Sequence, residues 1–530
     1  MKLNRIILIG FVLLATTFLI SCEDFMLPES ENILLEEDAF SDWAEFRAAN
    51  MGLYALQQDL VEQIVVLGEL RGDLLATTEN KNVDLFEIEN FNVSATNQYA
   101  SPQKFYSLIS NCNQLIARLI ELKPDILVNS ISNIDNYDKL YGEAMCMRSW
   151  AYFNLVRIYN EVPVYFNAIE EKASLSDVRF WTADELTDSL VNHLESIKIV
   201  GVKYSSDDKT WERTSWSEYS KKYLLGQIYL FKGNLEMARQ NFDQLILDGI
   251  NSVDGPFYNG DNTFGPTFWG TIFENIEFKE QIFTIPFSKE GGQQTNFQQL
   301  FSLPHNIKPS TIANFYWNTQ WERGWGNMTD LVERAEFYRG DPRTQYSVST
   351  INQDTLVNKL VGIEAYTSDQ PFVLYRATSA QLYMAEIYLH TGKSIFTDQL
   401  LNGGPGALGV DRYEHYDGNI GVRYRMKLEK KVPVFPVHTL YDRYTHEAIE
   451  QITMTSELAT DFREEYILEE RALELGFEGE RFYDLIRFAK RRNDPSFLAD
   501  KVAAKFPVEK REEIRTLLMN EEKWYLPFPR

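Results

Sequence analysis

Apolar residues recur at every third or fourth position along most of the chain. Trp43, Phe46, Ala49, Leu53 and Leu56 set this spacing at the start of the folded body, with Ser41 placed to cap the helix they predict. The same period predicts helices over 105–122, 137–159, 182–199, 215–231, 234–247, 379–389 and 462–489, so the expected fold class is mainly α. Between 251 and 375 the period gives way to turn residues and aromatic side chains. Short alternating runs there, such as 281–286, suit small strands joined by long loops.

A repeat search sharpens this picture. A tetratricopeptide hairpin asks for Leu-Gly-x2-Tyr on its first helix and Ala-x3-Phe on its second. Leu225, Gly226, Tyr229, Ala238 and Phe242 meet that pattern in register, with Gly233 and Asn234 at the turn and Lys222 in place of the usual tryptophan. Small residues let two helices approach while large ones fill the groove between them. Weaker first-helix matches at Leu155, Val156 and Tyr159, and at Met384, Ala385 and Tyr388, predict several such pairs stacked into a tetratricopeptide-like helical superhelix.

The chain opens differently. Lys2 and Arg5 precede about fifteen mostly apolar residues, Ile6 to Ile20, fewer than the roughly 20 that span a bilayer. Leu19-Ile20-Ser21-Cys22 resembles the lipobox of bacterial lipoproteins, which implies a signal peptide over 1–21 and a lipid, such as palmitate, on Cys22. Polar, acidic residues 22–36 then read as a tether. Glu23 and Asp24 resemble the acidic export tag of surface-displayed lipoproteins.

Loss of Lys2 and Arg5 leaves 50 basic against 77 acidic side chains, a net charge of −27. That field opposes nucleic acid and anionic lipid and leaves a neutral ligand as the easier partner. Aromatic residues make up 14% of the chain, enough for some to face a ligand. Only Cys112 and Cys146 remain beside Cys22; both lie in predicted helices, where buried packing and a disulfide are both open.

Several blocks together resemble the SusD/RagB-like family of outer-membrane nutrient-uptake lipoproteins. One is Glu470-Arg471, Glu474-Leu475, Phe477-Glu478-Gly479 and Arg481-x2-Asp484-Leu485-x-Arg487. A second runs from Gly142 to Tyr159 with Val162-Pro163 after it, and a third joins Leu374-Tyr375-Arg376 to Ala385-Glu386. Asn160 stands where the family usually has glycine, and 401–434 keeps little of its arginine-rich linker. The resemblance implies a helical region over 37–250, a loop-rich ligand-binding region over 251–375 and a C-terminal helical region over 376–530. It also implies a surface-exposed outer-membrane protein that binds an oligosaccharide, or in the RagB branch an oligopeptide, and passes it to a TonB-dependent, SusC-like transporter. Family loops that reach the ligand correspond by order to Arg71, Asp73, Asn97 and Tyr99.

Catalysis is weighed against that. Glu470, Glu474, Glu478, Glu480 and Asp484 could supply the two acids of a glycoside hydrolase, but arginines three residues away favour ion pairs, and a surface glycoside hydrolase is the distant alternative. His446-Glu447 lacks a second histidine for a metal, and no G-x-S-x-G or phosphate-cradling loop occurs. Asp411, Asp417 and Asn419 fail the calcium-loop spacing. The expectation is a binding protein without enzyme activity, metal or cofactor. The candidate ligand contacts are Tyr316, Trp317, Trp321 and Trp325 among turn residues, and Trp269 in a second glycine-rich turn. Flat aromatic faces stack on the apolar face of a sugar ring.

Overall fold

The computed structural model describes residues 40, 42–80, 82–122, 133–168, 178–199, 210–252, 255–256, 258, 265–274, 276, 278–288, 290–323, 337–351, 354–361, 370–403 and 421–529. Cys22, the signal peptide, the tether, Trp325 and the calcium-like segment around Asp417 lie outside these residues, as does the expected cap Ser41.

The predicted helices form. The first, α1 (Trp43–Gln58), is capped by Asp42, whose carboxylate accepts the Glu45 amide. After it come α2 (Gln103–Leu122), α3 (Asn133–Tyr159), α4 (Ala183–Glu195), α5 (Glu218–Phe231) and α6 (Leu235–Asn251). Each packs against the next in sequence. The chain then passes through a less regular part containing α7 (Thr311–Asn318) and returns as α8 (Ala377–His390), α9 (Ser456–Leu475) and α10 (Arg481–Arg492). Helix α8 lies on α6, α9 on α8 and α10 on α9, so the stack continues across the interruption.

The tetratricopeptide match is physical. A Cβ added at Gly226 would sit 2.7 Å from the Phe242 ring, so glycine is what lets α5 and α6 close on each other. Between α9 and α10 the 3.6-residue period breaks over Gly476 to Gly479, where Gly479 has φ +90. A Cβ at Gly68 would fall 1.8 Å from the Gly479 carbonyl oxygen, so the chain near residue 68 lies directly against this break. Cys112 and Cys146 are separate buried thiols, which resolves their role in favour of packing.

The described residues between 251 and 375 include short helices and strands as well as loops. Gln281–Ile285 forms the expected strand and pairs antiparallel with Phe372–Arg376. Leu75–Thr77 pairs with Ile307–Pro309 and ties the irregular part back to the start of the scaffold. Trp269 lies on a helix, Pro266–Glu274, and Tyr316 and Trp317 lie on α7, not in turns. A hairpin not anticipated in the sequence, Val437–Tyr441 with Ala448–Thr453, stands within the C-terminal helical region over 376–530. Both of its strands are largely exposed.

Candidate functional site

The charged C-terminal block is interior. Glu474 is fully buried and accepts from Trp269 Nε1 at 2.8 Å, Arg343 Nη1 at 2.7 Å and Arg376 Nη1 at 2.5 Å, and from Arg425. Those arginines are shared outward with Glu470, Glu478 and Glu280. Burial alone would raise the Glu474 carboxyl, but the Arg425, Arg376 and Arg343 guanidiniums hold it well below the usual carboxylate range. An acid held ionised behind three guanidiniums cannot protonate a glycosidic oxygen. The block is a buried brace, and Arg471 and Arg481 do not pair with the three-residue neighbours that the spacing suggests: Arg471 pairs with Asp484 across the helix break and Arg481 with Asp73.

Most candidate ligand contacts belong to the same interior. Arg71 donates to the Leu67 carbonyl at 2.8 Å and the Trp524 carbonyl at 3.1 Å, and its guanidinium carbon lies 4.4 Å from the Phe482 ring centre. Asp73 holds Arg481 through both oxygens, at 2.6 and 2.8 Å. Asn97 caps the Gln98–Ala100 turn and Tyr99 donates to Glu62 at 2.7 Å. Trp317 stacks on Phe477 with centroids 5.5 Å apart and planes 8° apart, and is 1% exposed. Trp269 anchors the Glu474 network from a small second core with Ile272, Phe273 and Val373. Tyr316 is half-buried beside Arg481, 5.8 Å from its guanidinium carbon. Assigning these side chains to a ligand is therefore corrected: Arg71, Asp73, Asn97, Tyr99, Trp269 and Trp317 are all buried within the fold, and all but Trp317, whose indole nitrogen has no partner among the described residues, are hydrogen-bonded there.

Trp321 stands apart. Helix α7 ends at Asn318, and Trp321 opens a short strand paired with Phe337–Arg339. Its indole N–H donates to the Arg443 carbonyl at 3.1 Å, in the turn of the exposed hairpin. Its ring centre lies 4.9 Å from that of His446, and His446 is stacked on Tyr441 at 5.2 Å with planes 13° apart. Three rings thus stand in a row at the turn end of the hairpin. His446 Nε2 is 3.0 Å from Glu429, whose backbone amide donates to the Trp321 carbonyl and fixes the row to the scaffold.

This row borders a cleft of about 510 Å³ lined also by Arg423, Lys430 and Tyr466. On the far side of Thr319 a second hollow of about 490 Å³ lies between α7 and Tyr444, with Asn314, Asn318 and Arg339 on its walls. Tyr441 is 50% and Tyr444 51% exposed, so both present open ring faces or edges to solvent. The rim carries amide and guanidinium donors beside these rings. Under it, Lys431 and Arg443 both pair with Glu469; burial pulls the Lys431 ammonium down to about 8 against the opposing pull of Glu469. The arrangement can stack a flat apolar face and bond hydroxyls around it. Among the described residues no three His, Cys, Asp or Glu side chains gather as a metal site, and no helix is long and apolar enough to cross a membrane.

Of this cluster the sequence singled out Trp321 as a ligand contact and His446 only as a metal candidate, and left Tyr441 and Tyr444 unnamed. The signal available was local: β-favouring Val437, Thr439 and Tyr441, then a turn-like Asp442-Arg443-Tyr444-Thr445, then Ile449 and Ile452.

Known proteins bear on this geometry. Residues 358–529 match the SusD family, and residues 49–221 match a family described as starch-binding, associating with the outer membrane. Together these matches cover about two-thirds of the chain. The SusD-like protein P38 of Formosa agariphila is 23% identical over 532 residues, covering 92% of each chain. Among solved structures, a SusD superfamily protein from Bacteroides vulgatus superposes with a TM-score of 0.63 at 15% identity, over 92% of this chain and 96% of that one. The surface glycan-binding protein A of Bacteroides uniformis gives 0.61 at 17% identity, over the same 92% and 96%. The exposed hairpin falls within the first matched segment, while Trp321 on the other wall of the cleft lies outside it, and α2, α3 and α4 fall within the second.

Proposed function

Since the chain belongs to the SusD/RagB-like family, we propose that it is a non-catalytic, cell-surface lipoprotein that captures an oligosaccharide and delivers it to a TonB-dependent, SusC-like barrel in the outer membrane. The ligand site in this proposal is the cleft at the hairpin, not the interior residues around Arg71 and Trp269. The observation that carries it is the row Trp321, His446 and Tyr441, open to solvent at one end and edged by Arg423 and Lys430, with Asn318 and Arg339 in the adjoining hollow. Sugar binding through many shallow contacts suits such a shelf. Lipid on Cys22 would hold the scaffold at the membrane, with stable anchoring needing about two acyl chains or their equivalent.

Affinity electrophoresis of the purified protein through a panel of polysaccharides, beside a matched peptide panel, tests the cargo. Retardation by at least one glycan, lost in Tyr441→Ala, is the expected result. Retention by peptides alone would transfer the cleft to oligopeptide capture, and release of reducing sugar at high protein concentration would restore the hydrolase alternative. Labelled palmitate should enter the wild type and not Cys22→Ala. Solubilised native protein should bring down a barrel protein, and its absence would end the transporter half of the proposal.

A further inference from the structure

A third cavity, of about 530 Å³, lies in the helical stack and shares no lining residue with the hairpin cleft or the hollow beside it. It is bounded by α3, the α5–α6 turn, α8, α10 and Tyr525 near the C-terminus. Its walls are of two kinds. Phe153, Phe231, Ile486 and Tyr525 make an apolar lining, and Lys232, Arg487, Lys490 and Arg491 stand beside it.

The cations outnumber the acids that face them. Glu386 is fully buried and is shared by Arg487 at 2.8 Å and Arg491 at 2.7 Å. Asp484 is shared by Arg487 at 2.8 Å and Arg471 at 2.7 Å. Two carboxylates therefore serve three guanidiniums, and Arg491 Nη1 has no acceptor among the described residues. Arg157 is matched by Glu480 and Lys232 by the exposed Asp188. Lys490 is exposed; its ammonium lies 5.4 Å from the Tyr525 ring centre, with no carboxylate partner among the described residues. A local cationic excess in a chain whose formal net charge is −25 is a departure from the surrounding field.

We propose that this cavity binds the C-terminal end of a peptide, with the terminal carboxylate at Lys490 and Arg491 and an apolar last side chain against Phe231 and Ile486. Each wall excludes a simpler occupant. An inorganic anion would leave the aromatic lining in water, a hydrocarbon would desolvate the cations without neutralising them, and a neutral sugar supplies no charge. A peptide end carries carboxylate and apolar side chain on one Cα, and a cavity of this size fits a ligand of two or three residues. The charge complementarity runs against the net charge of the whole chain, so it selects for the carboxylate and not for the body of an acidic partner.

Fluorescence anisotropy of the full-length protein with a fluorescein-labelled tetrapeptide ending in phenylalanine provides the test, using the free acid and its C-terminal amide. The acid should bind about tenfold or more tightly than the amide, a difference of about 1.4 kcal/mol. Lys490→Glu should erase that preference, and Phe231→Ala should weaken the acid, while retention on glycan and the melting temperature of Lys490→Glu stay at wild-type values. Equal binding of acid and amide, no binding of either, or acid binding indifferent to both substitutions would overturn the proposal. Glycan retention is read separately, so failure here leaves the cleft assignment standing.

Discussion

The Glu474 network and the hairpin cleft are built from the same side-chain types and use them in opposite ways. Both combine tryptophan, arginine and carboxylate. Around Glu474 every arginine is turned inward onto acids on other segments, and Trp269 gives its N–H to the same carboxylate. At the cleft, Trp321 gives its N–H to a backbone carbonyl and leaves its ring beside two others, while Arg339 lies exposed over Tyr444 at 4.9 Å. Composition does not separate a brace from a shelf. The difference lies in burial: the polar groups have acceptors in both places, but at the cleft Arg339 and the rings of Tyr441 and Tyr444 stay exposed.

The largest effects should come from breaking the brace. Glu474→Gln removes the charge that three guanidiniums share, and losing one partner of a buried ionic cluster costs about 3–5 kcal/mol. Urea unfolding should report that loss with glycan affinity of the folded fraction unchanged; a variant as stable as wild type would show that Glu470, Glu478 and Glu280 suffice without it. Trp317→Ala belongs to the same class. Its ring is packed on Phe477 beneath α7, and truncation of a buried tryptophan costs about 3–5 kcal/mol. If Trp317→Ala instead weakened glycan binding at unchanged stability, the boundary between the two regions would lie in the wrong place.

A smaller effect should depend on pH. Glu69 is buried where α10 begins, accepts the Gly479 amide at 2.8 Å and the Glu480 amide at 3.1 Å, and is pushed up to about 8 by burial, against the opposing pull of the Gly479, Phe477 and Arg481 amides and of the Arg481 charge. A carboxyl whose folded value is raised holds its proton in the native state after the unfolded chain has released it. Its contribution to stability is therefore complete below about 4.5 and declines as pH rises towards 8. Glu69→Gln keeps the accepting oxygen and removes the titration. The variant should match wild type near pH 4.5 and be the more stable of the two at pH 8, as seen in melting temperatures across that range. Parallel curves for the two proteins would remove Glu69 from the pH response.

How much of this was legible in the chain follows from the range of each interaction. Helix periods and the Gly226–Phe242 hairpin are local, and they appear in the structure within a few residues of their expected bounds. The arginine and glutamate block could be read as helical because its spacing is also local, and the structure splits it into α9 and α10. Arg71 and Asp73 could not be placed, since their partners Trp524 and Arg481 stand more than 400 positions away. Trp317 and Trp321 are four apart, which on a continuing helix would put them on one face. The helix stops at Asn318, so one ring is packed inside and the other joins a strand. The hairpin escaped notice because both its faces are solvated, which removes the alternation that marks a half-buried strand.

The smallest effects belong to the shelf, and they sharpen the comparison most. Tyr441 is half exposed and stacks on His446, so its removal takes away a ring face without opening a cavity in the main core. Tyr441→Ala should lower glycan affinity by about 0.5–1.5 kcal/mol, the range for one aromatic contact, and shift the melting temperature little. Trp321→Ala should cost affinity by a similar amount and some stability besides, because it also removes the N–H bond to Arg443 that docks the hairpin. Isothermal titration with the retained glycan, paired with thermal unfolding of each variant, separates the two contributions. Tyr441 is then the cleaner reporter: if Tyr441→Ala binds as the wild type does while Trp321→Ala does not, Trp321 acts by holding the hairpin and the ligand lies on the Tyr444 side, against Phe315 and Arg339.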